Sequence, residues 1–167
     1  NDGSQETSIQ FGSDIVTLNG AGGLAFAGMT EFHAGVTQSC ATLGEPMFVT
    51  EVKDDLILSL DGIPALEVFT EVAKEFKFND MEEATQQLLL SFPLDTEKPV
   101  FTGEGAMARH ITGINVASQG ITTSEIVHKG GVVSFAYRSP KTAEDDLREM
   151  LQRLKKQNEN VPTFGIY

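Results

Sequence analysis

At 167 residues, with 40% apolar and 22% charged side chains, the chain has the makeup of one ordinary globular domain. Its net charge of −12, from 12 Lys+Arg against 24 Asp+Glu, repels phosphate backbones and anionic bilayers, and so argues against nucleic acid and membrane partners. A single cysteine rules out an internal disulfide and points to a reducing, cytoplasmic compartment; no apolar run reaches the roughly 20 residues of a membrane span, and no signal-peptide pattern opens the chain.

Asn1–Thr7 is polar and reads as a loop with an Asp2-Gly3 turn. Ser8–Phe11 and Ile15–Leu18 flank Gly12-Ser13-Asp14, which suits a hairpin. Gly20–Gly28, small and apolar throughout, reads as a buried strand closely approached by a neighbour. Phe32–Gln38 alternates loosely and is expected to be the next strand. Met47–Val52 and Leu56–Leu60 bracket Lys53-Asp54-Asp55 as a second hairpin.

Pro64 suits the first position of a helix, with Asp61 upstream as its cap. Leu66, Phe69, Val72, Ala73 and Phe76 form its apolar stripe, with Glu67, Glu71 and Lys74 facing away. Asp80 with Glu83 starts a second helix, expected to run to about Leu90 and to stop before Pro93. In the third helix Ser139 caps and Pro140 takes the first position. Glu144-Asp145-Asp146 sit at the positive end of its dipole, and Arg153, Lys155 and Lys156 at the negative end. Its expected buried face is Ala143, Leu147, Met150, Leu151 and Leu154. Lys98–Phe101, Ala108–Val116, Glu125–His128 and Val132–Tyr137, punctuated by glycines, read as strands, and Thr163–Tyr167 begins another. The fold class is α+β, an antiparallel or mixed β-sheet with three helices packed on it.

Several short motifs follow one another in a telling order. Gln38-Ser39-Cys40, Gly44-Glu45-Pro46, Val49-Thr50 and Asp61-Gly62-Ile63-Pro64-Ala65-Leu66 resemble the FIST domain family (F-box and intracellular signal transduction). Members carry a Gln-Gly-Cys-like triplet, a proline turn, a Val-Thr pair and Asp-Gly-x-Pro-Ala-Leu opening a helix. Arg109–Ile114, Val127–Gly130 with Val133–Arg138, and the Ala143–Leu154 helix are similar to later family segments. Ser39 stands where the family pattern has glycine. The resemblance implies that residues 1–50 end a FIST N-terminal half and that 51–167 form a C-terminal half short of its last segment, within a longer protein. It further implies a sensory domain that binds a small, amino-acid-like ligand without chemical change and reports to a fused output domain or a protein partner. The alternative, from eukaryotic relatives that place the domain after an F-box, is a module that recruits substrates for ubiquitylation.

The residues themselves offer candidates for a binding site and little for catalysis. Cys40 would need a nearby histidine or helix N-terminus to become a thiolate; His33, His110 and His128 are present, but spacing places none beside it, and a small packed residue is the plainer reading. Arg109 and Arg138 sit in or at the end of apolar strands. Each either pairs with a carboxylate of this acidic chain or clamps a ligand carboxylate bidentately. His110, next to Arg109, would face the other side of the sheet. Gln38 reads a ligand amide or amine, or bonds backbone at a strand end. With Cys40 and the Gly44–Pro46 turn it would shape the wall of the site. No zinc, phosphate-loop or dinucleotide pattern is present, so no metal or cofactor is expected.

Overall fold

The computed structural model describes residues 9–12, 15–18, 27–28, 33–76, 78, 80–101 and 105–158. The chain divides into two compact units, Asn1–Phe32 and His33–Tyr167. In the first, β1 (Ile9–Gly12) and β2 (Ile15–Leu18) form the antiparallel hairpin that the sequence suggested, with Ile9 opposite Leu18. The expected loop at Asn1–Thr7 and the strand at Thr163–Tyr167 lie outside the described residues, as does most of Gly20–Gly28.

The second unit runs β3 (Ala41–Lys53), β4 (Leu56–Leu60), β5 (Ile63–Pro64), α1 (Ala65–Glu75), α2 (Met81–Gln87), β6 (Leu88–Pro93), β7 (Ala106–Asn115), β8 (Gly120–Thr123), β9 (Val132–Tyr137) and α3 (Pro140–Gln157). Strand order β3-β9-β6-β7-β8-β4, with β4 returning to β3, closes an antiparallel barrel, and β5 pairs alongside β4. The class is therefore α+β with an antiparallel sheet. Closure leaves few unpaired strand edges, the usual liability of an open sheet.

Two long strands make the closure possible. The first half of β3 pairs with β9 and its second half with β4, with register breaks between Leu43 and Met47 and again after Val49. β7 likewise passes from β6 to β8 across a break between Ile111 and Gly113. Such bulges bend a strand so that it can serve two sheets. Gly44-Glu45-Pro46 fills the first break of β3: Gly44 takes a φ of 62°, and Pro46, which lacks an N–H, sits where no ladder bond is needed.

Inside lie Val49, Ile57, Leu60, Leu66, Phe69, Leu88, Leu90, Ile111, Ile121, Val133 and Phe135, with Phe69 of α1 set 6.3 Å from the Phe135 ring. The α1 stripe is as expected: Leu66, Phe69 and Ala73 are buried, and Val72 and Phe76 pack on the core. Its start differs, because Pro64 occupies the cap position without a side-chain bond. The Asp61 carboxylate instead accepts from the Phe48 amide, and the Leu66 amide donates to the Gln119 carbonyl.

Several further expectations are corrected. Residues 33–38 form no strand; the amides of Gln38 and Ser39 donate to a carboxylate of α3, so they are satisfied outside any ladder. Residues 98–101 and 125–128 are also irregular. The second helix ends at Gln87, and Leu88–Leu90 open β6, a strand paired on both sides and buried on both faces. β8 was not anticipated: Gly120 begins a strand, so its role is more than turn punctuation. On α3 the Ser139 cap and Pro140 stand as expected, with Thr142 completing a capping box, but Leu151 faces solvent at 52% exposure. Among the described residues no helix is long and apolar enough to cross a membrane.

Candidate functional site

The register of the sheet separates two faces of the β3–β9–β6–β7 wall. Leu88, Leu90, Phe135 and Arg109 share the face toward the core, whereas Thr42, Ser91, Ala106 and Ala108 share the opposite one. On that second face the side chains are small and cannot fill the space beneath α3. A cleft of about 300 Å³ remains, with Thr42, Ser91, Ala106 and Ala108 on its sheet side and Gln38, Cys40 and Phe101 among its other walls. Thr142, Asp145, Asp146 and Glu149 line it from α3. Their spacing is that of one helix face, so the first half of α3 turns a polar stripe toward the sheet. Further along, Met150 is buried and crowds Gly35, where an added Cβ would stand 2.5 Å from its sulfur.

Asp146 holds in place the irregular segment that leads into β3. One of its oxygens accepts from the amides of Gln38 and Ser39, at 2.8 and 2.9 Å. Gln38 Oε1 in turn accepts from the Ala108 amide at 3.2 Å, standing in for a neighbouring strand. Arg138 Nη2 donates to the Gln38 carbonyl at 3.1 Å, and its Nη1 lies 3.4 Å from His110 Nε2. Its Nε is buried without a hydrogen-bond partner among the described residues. Thr42 Oγ1 donates to the Phe101 carbonyl and so ties β3 to the end wall.

Of the six residues proposed from sequence, two line this cleft. Gln38 contributes to it while its backbone and Oε1 are engaged structurally, and Cys40 is half-buried beside it. Burial pushes the Cys40 thiol pKa above its usual value; Arg138 opposes that shift and Asp146 adds to it. A raised pKa keeps the sulfur protonated and weakly nucleophilic at neutral pH. Gly44 and Pro46 belong to the β3 bulge and are not cleft-lining residues. Arg109 lies on the core-facing side of β7, where its Nε meets Glu125 Oε2 at 3.0 Å, the carboxylate pairing that was the plainer reading of a strand arginine. Arg138 has no ion pair among the described residues, and it braces Gln38 from behind without lining the cleft. His110 does face the opposite side from Arg109, where it meets Arg138.

The α3 carboxylates and Ser91 were not singled out from sequence. The signal was present in the i, i+3, i+4, i+7 spacing of Thr142, Asp145, Asp146 and Glu149, but that pattern equally describes a solvated helix face. A second cleft, of about 600 Å³, opens beside the β3–β4 turn, lined by Lys53, Asp54, Leu56, Leu58, Asn115 and Thr122 among others. Among the described residues, no group of three or more His, Cys, Asp or Glu side chains is placed to hold a metal ion.

Comparison with known proteins bears on the first part of the chain. The family model of the FIST N domain matches residues 1–63, and that stretch is FIST sequence, as the motifs implied. FIST domains are a family of signal-transduction sensory domains. The chain is 27% identical over 132 residues to the uncharacterized protein Rv0628c of Mycobacterium tuberculosis (strain ATCC 25618 / H37Rv), covering 78% of this chain and 34% of that protein. It is 27% identical over 141 residues to the uncharacterized protein Mb0898c of Mycobacterium bovis (strain ATCC BAA-935 / AF2122/97), covering 84% and 36% respectively. The chain thus spans about a third of the length of these curated relatives. No solved structure matches it significantly.

Proposed function

We propose that this chain is the ligand-binding part of a FIST-type sensory protein, and that the cleft beneath α3 receives a small metabolite without transforming it. The observation that carries the reading is the cleft itself. Small residues on the sheet leave it open, and it joins the FIST triplet at Gln38 and Cys40 to a polar face of α3. Its volume is at the lower end of the range of about 300–1,000 Å³ typical of small-molecule sites, which suits an amino-acid-sized ligand, the class that the family resemblance implies. A protonated Cys40 fits a wall residue better than a nucleophile. Because Asp146 ties α3 to the Gln38–Ser39 segment, occupancy would bear on that helix and pass to an output domain or partner in the cytoplasm.

Thermal denaturation of the chain across a panel of amino acids and related small metabolites tests this. A ligand present at 100 times its Kd stabilises the fold by about 2.7 kcal/mol. The variant Ala108→Leu, which fills the sheet side of the cleft, is expected to abolish that shift. A panel without any stabilising compound, or a shift that survives Ala108→Leu, would count against the assignment.

A further inference from the structure

From the hydrogen bonds just before β3 we infer that the Gln38 and Ser39 amides form a binding site for a ligand carboxylate, which Asp146 occupies until the ligand displaces it. The inference deepens the sensory reading above and rests on it, naming the ligand class and how occupancy reaches α3. At the left-handed Ser39, with φ 58°, two successive amides meet one carboxylate oxygen at 2.8 and 2.9 Å. Successive amides that converge in this way make an anion-binding concavity. The carboxylate now in it is the chain's own, brought to Ser39 from 107 positions away.

The sheet holds these amides independently of Asp146. Gln38 Oε1 accepts from the Ala108 amide, and the Gln38 carbonyl accepts from Arg138 Nη2 at 3.1 Å. That carbonyl belongs to the same peptide group as the Ser39 N–H, so the guanidinium makes the amide a stronger donor. An independent observation points the same way. Arg138 has no ion pair among the described residues, and its Nε is buried without a hydrogen-bond partner. Charged groups taken from water are ordinarily paired, so this guanidinium favours an anion beside it. Asp146 and Arg138 act in opposite senses on the Cys40 thiol, so both charges stand near that sulfur. The occupant, by contrast, sits on a lightly held helix. One of the 18 residues of α3 is buried, Met150, whereas α1 buries four of 11. An element anchored so sparsely opens at small cost. A ligand on the two amides also leaves the Asp146 carboxylate facing like charge, so occupancy and docking of α3 exclude one another.

Isothermal titration with butyrate, 2-aminobutyrate and n-butylammonium, at fixed ionic strength, tests the inference in the parent and in variants. Both carboxylates are expected to bind Asp146→Ala about tenfold or more tightly than the parent, because the competent state no longer competes with an internal occupant. Glu149→Gln removes the same charge from the same helix face, and should change their affinity by about twofold or less. Arg138→Gln should weaken them about tenfold, and n-butylammonium should bind none of the proteins at roughly 10 mM. Circular dichroism checks folding; if Asp146→Ala is unfolded, Asp146→Asn replaces it, with an expected gain of about threefold from the weaker neutral acceptor. Carboxylate affinity no greater in the Asp146 variant than in the parent, or a gain equally large in Glu149→Gln, overturns the displacement. So does n-butylammonium binding as tight as that of butyrate, or failure of both carboxylates to bind the Asp146 variant at about 10 mM. In any of these cases a thermal-panel compound whose shift is lost in Ala108→Leu would keep the sensory reading.

Discussion

Ser39 holds a φ of 58°, a left-handed conformation that costs an L-residue about 1 kcal/mol and glycine almost nothing. The position is the one at which the FIST pattern carries glycine, so the conformation gives that preference a physical cause. Ser39→Gly is expected to stabilise the fold by about 0.5–1 kcal/mol in urea titration, the relief of strain being partly offset by a freer unfolded chain. Cys40, next in sequence, gives a prediction of opposite kind. Its thiol pKa is raised by burial above the ordinary value of 9.0. The folded state therefore binds the thiol proton more tightly, and the associated stability is fully present below that value and lost as pH climbs through the folded pKa. Stability measured from pH 8 to 11 should decline more steeply in the parent than in Cys40→Ala, and alkylation by iodoacetamide at pH 7 should be slower than in the urea-unfolded chain. Equal slopes and equal alkylation rates would show that the thiol does not sense its surroundings.

Among the elements, β8 depends on the absence of a side chain. A Cβ on Gly120 would lie 2.7 Å from Leu56 Cγ and 2.9 Å from the Ile57 carbonyl oxygen, and the backbone atom cannot swing aside. Gly120→Ala is expected to destabilise by about 1–3 kcal/mol, read as a lowered urea midpoint with unchanged slope; a neutral result would mean that β4 and β8 are not held as closely as described. The same glycine shows why parts of the fold were hidden in the sequence. A glycine at a strand start and a glycine in a turn look alike until the neighbour is known. Leu88–Leu90 concealed β6 for a related reason: a strand buried on both faces has no period of two to distinguish it from a helix. The α1 stripe and the capping of α3 were legible because both are local, set by residues three or four positions apart.

At the scale of the molecule, the antiparallel α+β class was legible, but barrel closure was not. Closure rests on where β3 and β7 change partners, and the bulges that allow it at Gly44–Pro46 and near Gly113 resemble ordinary turns in one dimension. The candidate site divided along the same line. Gln38 and Cys40 were found through a motif confined to a few residues, whereas Ser91 and Glu149 acquire meaning only when the sheet and α3 are brought face to face. Arg109, attractive in sequence, answers to Glu125 sixteen positions on.

The bond from Asp146 to the Gln38 amide spans 108 positions along the chain. Contacts so distant are slow to form, because the intervening loop must close before they are rewarded. During synthesis the strands can begin to pair while α3 is still inside the ribosome, but the cavity acquires its acidic wall only when that helix emerges and docks. The cleft thus closes only after the sheet that forms its other side, and it is lost if α3 is cut away.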